Sequence, residues 1–135
     1  MINFDRLKNI REDNDISQET MASILKVNRS TYSLWELGIN IIPLKSLIDF
    51  ADYFNVSLDY VLNLSNNKNS KNYIKGIDLK RLGKNIKSLR TKNHLSQENL
   101  ANILGVTQPA IARYESGKVY ISITNLYKIS KEFKV

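Results

Sequence analysis

Leu44, Leu47, Ile48, Ala51 and Phe54 fall at i, i+3, i+4, i+7 and i+10, which is one face of a single helix. Pro43 suits its first turn. Ser17 stands just ahead of a shorter apolar-periodic segment and is a predicted N-cap, with Glu19 in the first turn favouring the helix dipole. Asn28 is the predicted cap of the next helix, and Gly38 suits the left-handed position beyond its end. SLDYVLNL, from Ser57, reads as one more short helix. No stretch sustains the alternation of a strand. The predicted order is helix, short helix, tight turn, short helix, loop, helix.

The same pattern occurs twice. Shifting residues 4–56 by 79 places them on 83–135 without a gap, and 16 of the 53 aligned positions are identical. ISQETMASILKVNRSTYSLWELG lies over LSQENLANILGVTQPAIARYESG. Ser96, Glu98, Thr107 and Gly117 repeat the cap and turn signals, and Ile123, Leu126, Tyr127, Ser130 and Phe133 keep the phase of the last helix. A unit this long is a small domain rather than a solenoid repeat. Between the copies lies NLSNNKNSKNYIKG, residues 63 to 76, polar and poor in apolar residues, with Asp78 an expected cap beyond it. The expected division is 1–65, a linker at 66–77, and 78–135. The predicted fold is all-α: two tandem small helical domains.

Composition narrows the function. Hydrophobic residues make up 42% of the 135, enough for two cores. With no cysteine there is no disulfide framework or thiolate chemistry. The charged start MINFDRLKNIRED has no apolar signal core, and no run approaches the ~20 apolar residues of a membrane span. A cytoplasmic protein is expected. His94, the one histidine, falls in the turn before Leu95 and cannot build a metal site alone. No cofactor is expected. Without a Gly-rich phosphate loop or a nucleophile–base pairing, an enzyme is not expected. The net charge is +7, which points towards nucleic acid or an anionic surface.

LSQENLANILGVTQPAIARYESGK resembles the helix-turn-helix of the phage Cro/C1 repressor family, often called the XRE family. The markers are the Ser-Gln opening, Ala101, Leu104-Gly105-Val106, Ile111, Tyr114-Glu115 and Gly117. The first copy matches through Ser17-Gln18-Glu19, Ala22, Leu25, Val27, Trp35-Glu36-Leu37-Gly38 and NVSLDYVL. The resemblance implies lambda-repressor-like domains that bind double-stranded DNA, most commonly as repressors. It implies that helix 107–115 enters the major groove. There Gln108 can pair with adenine and Arg113 with guanine, and Pro109 or Ala110 can touch a thymine methyl, with Thr107 beside them. It implies phosphate contacts from Gln97, Ser116 and Lys118. Gln97 has a second reading, as a capping partner in its own helix. In the first copy Gln18, Asn28, Arg29, Ser30 and Ser33 are weaker candidates of the same kind. Glu36 and Glu115 each lie 25 residues after an arginine, Arg11 or Arg90, and the resemblance makes these structural ion pairs. Ile111, Leu104, Val106, Trp35 and Tyr114 are expected core.

The two copies differ in charge. Residues 1–65 carry six Lys/Arg against nine Asp/Glu, net −3; residues 66–135 carry fourteen against four, net +10. DNA affinity comes largely from phosphate neutralisation, so the second copy is the expected main reader. Leu34 stands where the second copy has Arg113, and Ile39 where it has Lys118. An exposed Leu34 beside Tyr32 and Trp35 is expected to contact protein. A homodimer or protein partner through the first copy is therefore an alternative role, in the manner of an antitoxin or anti-repressor element. The second copy reaches Val135 without a counterpart of SLDYVLNL, leaving a face expected to be covered by the first copy, by another chain, or by sequence beyond this segment.

Overall fold

The computed structural model describes residues 3–68 and 79–133. Asp78, the expected cap, lies outside them. The chain divides into two compact units, residues 1–76 and 77–135. Among the described residues every regular element is helical. The first unit holds α1 (Asp5–Asp13), α2 (Gln18–Ile24), α3 (Arg29–Glu36), α4 (Leu44–Phe54) and α5 (Leu58–Val61). The second holds α6 (Leu79–Lys92), α7 (Gln97–Leu104), α8 (Gln108–Glu115) and α9 (Ile123–Phe133). Shifted by 79, α3 falls on α8 and α4 on α9 residue for residue. α6 starts five residues earlier than α1 would place it.

Local chemistry explains the repetition. Ser17 accepts from the Thr20 N–H, and Ser96 from the Asn99 N–H. Asn28 accepts from the Thr31 N–H at 2.7 Å, and Thr107 from the Ala110 N–H at 3.3 Å. These caps fix where the second and third helices of each unit begin. Left-handed residues recur at the same places: Asp15 and His94, Lys26 and Gly105, Gly38 and Gly117. Each turn is thus set by position, and glycine is needed only where a neighbour also comes close.

Both units bury a compact core. In the first, Leu7, Met21, Tyr32, Ile42, Leu47, Phe50, Ala51 and Val61 lose all or nearly all contact with solvent. Tyr32 and Trp35 meet edge to face, with ring centroids 6.0 Å apart. In the second, Leu100, Leu104, Ile111, Ile121 and Ile123 do the same work. Val106 and Tyr114, expected in the core, are only half-buried. Tyr114 lies one residue before the buried carboxylate Glu115, near the helix end, where packing from one side leaves the other side to solvent. α9 also keeps Leu126, Tyr127, Ser130 and Phe133 half-buried, whereas Leu47, Ile48 and Ala51 at the matching places on α4 are buried. In the first unit α5 packs against α4 and closes that face.

Candidate nucleic-acid interface

α7 and α8 form the helix-turn-helix of the second unit. Ile111 faces inward and is fully buried. Pro109 and Arg113, two positions to either side, point away from that face and are exposed. Thr107 and Gln108, at the helix start one turn before Ile111, are exposed as well, and Ala110 is half-buried. Pro109 occupies the first turn, where its missing N–H costs nothing. The Thr107 hydroxyl caps the helix. Ser116 and Lys118, also exposed, follow at the far end, where Ser116 Oγ donates to the Arg113 carbonyl at 3.2 Å and the Lys118 N–H to the same carbonyl at 3.0 Å.

A buried ion pair anchors these helices. Arg90 Nε and Nη2 donate to the two oxygens of Glu115 at 2.6 and 3.0 Å, and Arg90 Nη1 donates to the Leu95 carbonyl at 2.8 Å. α6, the turn before α7 and the end of α8 are thereby tied together. Burial disfavours ionised Glu115, but bonds from Arg90 and Gln97 outweigh it and hold the carboxyl below its ordinary pKa. Arg11 and Glu36 make the same fork in the first unit, at 2.7 and 3.0 Å. Glu36 is likewise held low against burial by Arg11 and Gln18.

Beyond the fork the units diverge. Gln97 Nε2 donates to Glu115 Oε1 at 3.0 Å, and Gln108 Nε2 donates to Gln97 Oε1 at 2.7 Å. A chain of bonds thus runs from Arg90 through Glu115 and Gln97 to Gln108, which fixes the direction of an exposed amide. A side-chain amide has two N–H donors and an acceptor oxygen. Gln108 therefore keeps one N–H and its oxygen for a partner, and Gln97 keeps one N–H. Gln97 is not the capping partner: Asn99 Oδ1 accepts from the Ser96 N–H instead. This chain of bonds is not announced in the sequence. Two glutamines 11 residues apart across a helix-turn-helix were its only signal.

In the first unit Gln18 also donates to its carboxylate, Glu36 Oε1, at 3.0 Å. Arg29, standing where Gln108 does, makes no such bond. Asn28, Arg29 and Ser30 are exposed, with Asn28 acting as the cap, and Ser33 is half-buried. Leu34 is half-buried, not exposed as expected, and Tyr32 and Trp35 are core. Tyr32 sits where the second unit has Ile111. Its hydroxyl is buried facing Glu36 but falls short of hydrogen-bond geometry. Burial, reinforced by that carboxylate, pushes the phenol's pKa far up. The exposed apolar residues lie further on: Leu37 is 68% exposed, Ile39 67% and Ile41 55%. They occupy the loop that carries Ser116 and Lys118 in the second unit.

No cluster of metal-ligating side chains occurs among the described residues, and no helix there is long and apolar enough to cross a membrane.

Comparison with known proteins agrees with this architecture. A helix-turn-helix family model matches residues 7–61 and again 86–135. The HTH-type transcriptional regulator YqaE of Bacillus subtilis, itself uncharacterized, is 34% identical over 64 residues, covering 47% of this chain and 55% of YqaE. Antitoxin PezA of Streptococcus pneumoniae is 39% identical over 54 residues, 40% of this chain and 34% of PezA. The HTH-type transcriptional activator BcrR of Enterococcus faecalis is 46% identical over 50 residues, 37% of this chain and 24% of BcrR. The likeness thus spans about half or less of each relative. With two matched regions covering most of its length, the chain belongs to the Cro/C1-type (XRE) helix-turn-helix family of transcriptional regulators.

Proposed function

We propose that this protein is a sequence-specific double-stranded DNA-binding regulator, acting as a repressor in the cytoplasm, whose second unit does most of the reading. α8 enters the major groove. Gln108 pairs with an adenine edge and Arg113 with a guanine edge, while Thr107, Pro109 and Ala110 lie against the neighbouring base pairs. Gln97, Ser116 and Lys118 hold phosphates. The observation that carries this reading is the layout of α8: Ile111 buried, Gln108 and Arg113 exposed, and Gln108 aimed by the chain of bonds from Glu115. Aiming the amide before binding reduces the entropy lost on contact.

The first unit, residues 1–65, has a lesser share. Gln18, Asn28, Arg29, Ser30 and Ser33 give it a weak reading surface. Its net charge of −3 opposes the phosphate backbone. Leu37, Ile39 and Ile41 offer no donor where Ser116 and Lys118 do, and suit contact with a protein, either a second chain or another partner. That loop, with the likeness to an antitoxin, favours a second reading, in which the fold serves protein binding and reads little DNA.

Selection of bound sites from random double-stranded DNA separates the two. The regulator reading expects one recurring motif; recovery of no enriched sequence at low salt would favour the interaction module. On the selected site, Arg113→Ala should cost about 1–3 kcal/mol and relax preference at one base pair. Lys118→Ala should weaken all sequences alike and reduce the salt slope by about one. A fluorescence titration across salt concentrations checks both. Transcription from a reporter carrying the site should fall when the protein is present, and a rise would make it an activator.

A further inference from the structure

We infer that the first turn of α6 belongs to the DNA-contacting surface of the second unit, with Lys80 a backbone-phosphate ligand beside Ser116 and Lys118. This rests on the DNA-binding reading above. α6 begins at Leu79, whereas the start of α1, Asp5, corresponds to Lys84, so α6 has an added stretch. Two glycines hold it against the end of the reading helix. A Cβ at Gly83 would collide with the carbonyl oxygen of Tyr114 and lie 2.7 Å from that of Glu115. A Cβ at Gly117, where φ is +74°, would lie 2.9 Å from Lys80 Cα and 3.0 Å from Lys80 Cγ. The backbones approach this closely because neither glycine has a side chain. Lys80 therefore lies over Gly117, the residue between Ser116 and Lys118, and is itself exposed.

The consequence is electrostatic. Two long cationic side chains, Lys80 and Lys118, leave the same end of α8, on the side where a groove-bound helix meets the sugar–phosphate strand. A lysine carries a point charge on a flexible stem and suits a phosphate without fixing a base. The first unit differs at each of these positions: Phe4 takes the place of Gly83, Met1 and Ile39 stand for the two lysines, and among the described residues nothing comes within 4 Å of a Cβ at Gly38. The difference between the units is thus built into helix packing as well as composition.

The test uses the intact chain on its selected site, with binding followed across salt concentrations. Lys80→Ala should weaken binding to all sequences alike and make the logarithmic salt dependence shallower by about 0.9. Lys80→Arg should restore the slope. Arg81→Ala removes the same charge one residue on, from a different helix face, and should change the slope clearly less. Circular dichroism should show unchanged helix content in all three. A slope unaltered by Lys80→Ala overturns the inference, as does an equal loss from Arg81→Ala, which would mean a general charge effect. Wild-type protein that binds no DNA at low salt would sink the parent reading and this one together; wild-type binding with an indifferent Lys80 sinks this one alone.

Discussion

Glu115→Ala should destabilise the second unit by about 3–5 kcal/mol, because it leaves the buried Arg90 guanidinium without its carboxylate. The Glu115 side chain is 4% exposed and accepts three bonds, two from Arg90 and one from Gln97. For a small domain whose whole stability is about 5–15 kcal/mol, that loss approaches unfolding. Glu36→Ala is its mirror in the first unit. Trp35, the only tryptophan, reports the first unit alone, so its fluorescence transition should fall for Glu36→Ala. Acid should act through the same groups. Both carboxyls have folded pKa values below the ordinary ~4.3. Their contribution is therefore complete above that value and is lost as pH falls through the lower folded values. Wild type should lose stability over this acid range more steeply than Glu115→Gln, and parallel profiles would show that the pair contributes nothing.

Gly83→Ala is expected to cost on the order of 3 kcal/mol. The added methyl would meet two backbone carbonyls, Tyr114 and Glu115, which cannot swing aside as the tip of a side chain can. Gly105→Ala is the natural comparison. A Cβ there meets nothing within 4 Å, and only the φ of +70° resists it. Lys26 holds the matching place in the first unit at φ +61°, so a side chain is tolerated there. Gly105→Ala should cost about 1–2 kcal/mol. Thermal unfolding of the two variants gives the order; equal losses would mean that the close approach of α6 to α8 contributes little.

Much of this was legible in the chain because caps and turns act locally. Ser17, Asn28, Ser96 and Thr107 announce helix starts through their own side chains, and the repeat supplies each signal twice. The separation of 25 linked Arg11 to Glu36 and Arg90 to Glu115 through family likeness, and the same pairs are hydrogen-bonded here. What escaped depends on surroundings. Leu34 looked exposed from its place against Arg113, yet its depth is set by neighbours outside its helix. Val106 and Tyr114 look apolar enough for a core, but their burial depends on what packs over them. The early start of α6 and its seat against Gly117 follow from backbone approach, which two scattered glycines do not advertise. The amide chain from Glu115 to Gln108 needed the angle between α7 and α8. The exposed Leu37, Ile39 and Ile41 were visible as letters but not as a surface.

The central claim is that the second unit reads DNA and the first largely does not. Its most direct measurement is a titration of the selected site, at fixed salt, with the intact chain carrying either Gln108→Ala with Arg113→Ala or Arg29→Ala with Ser30→Ala. Each good base contact is worth about 1–3 kcal/mol. The α8 pair should therefore weaken binding by roughly tenfold or more and blunt sequence preference, whereas the α3 pair should leave affinity within about twofold of wild type. Equal losses from the two pairs, or an α8 pair that binds like wild type, would contradict the account.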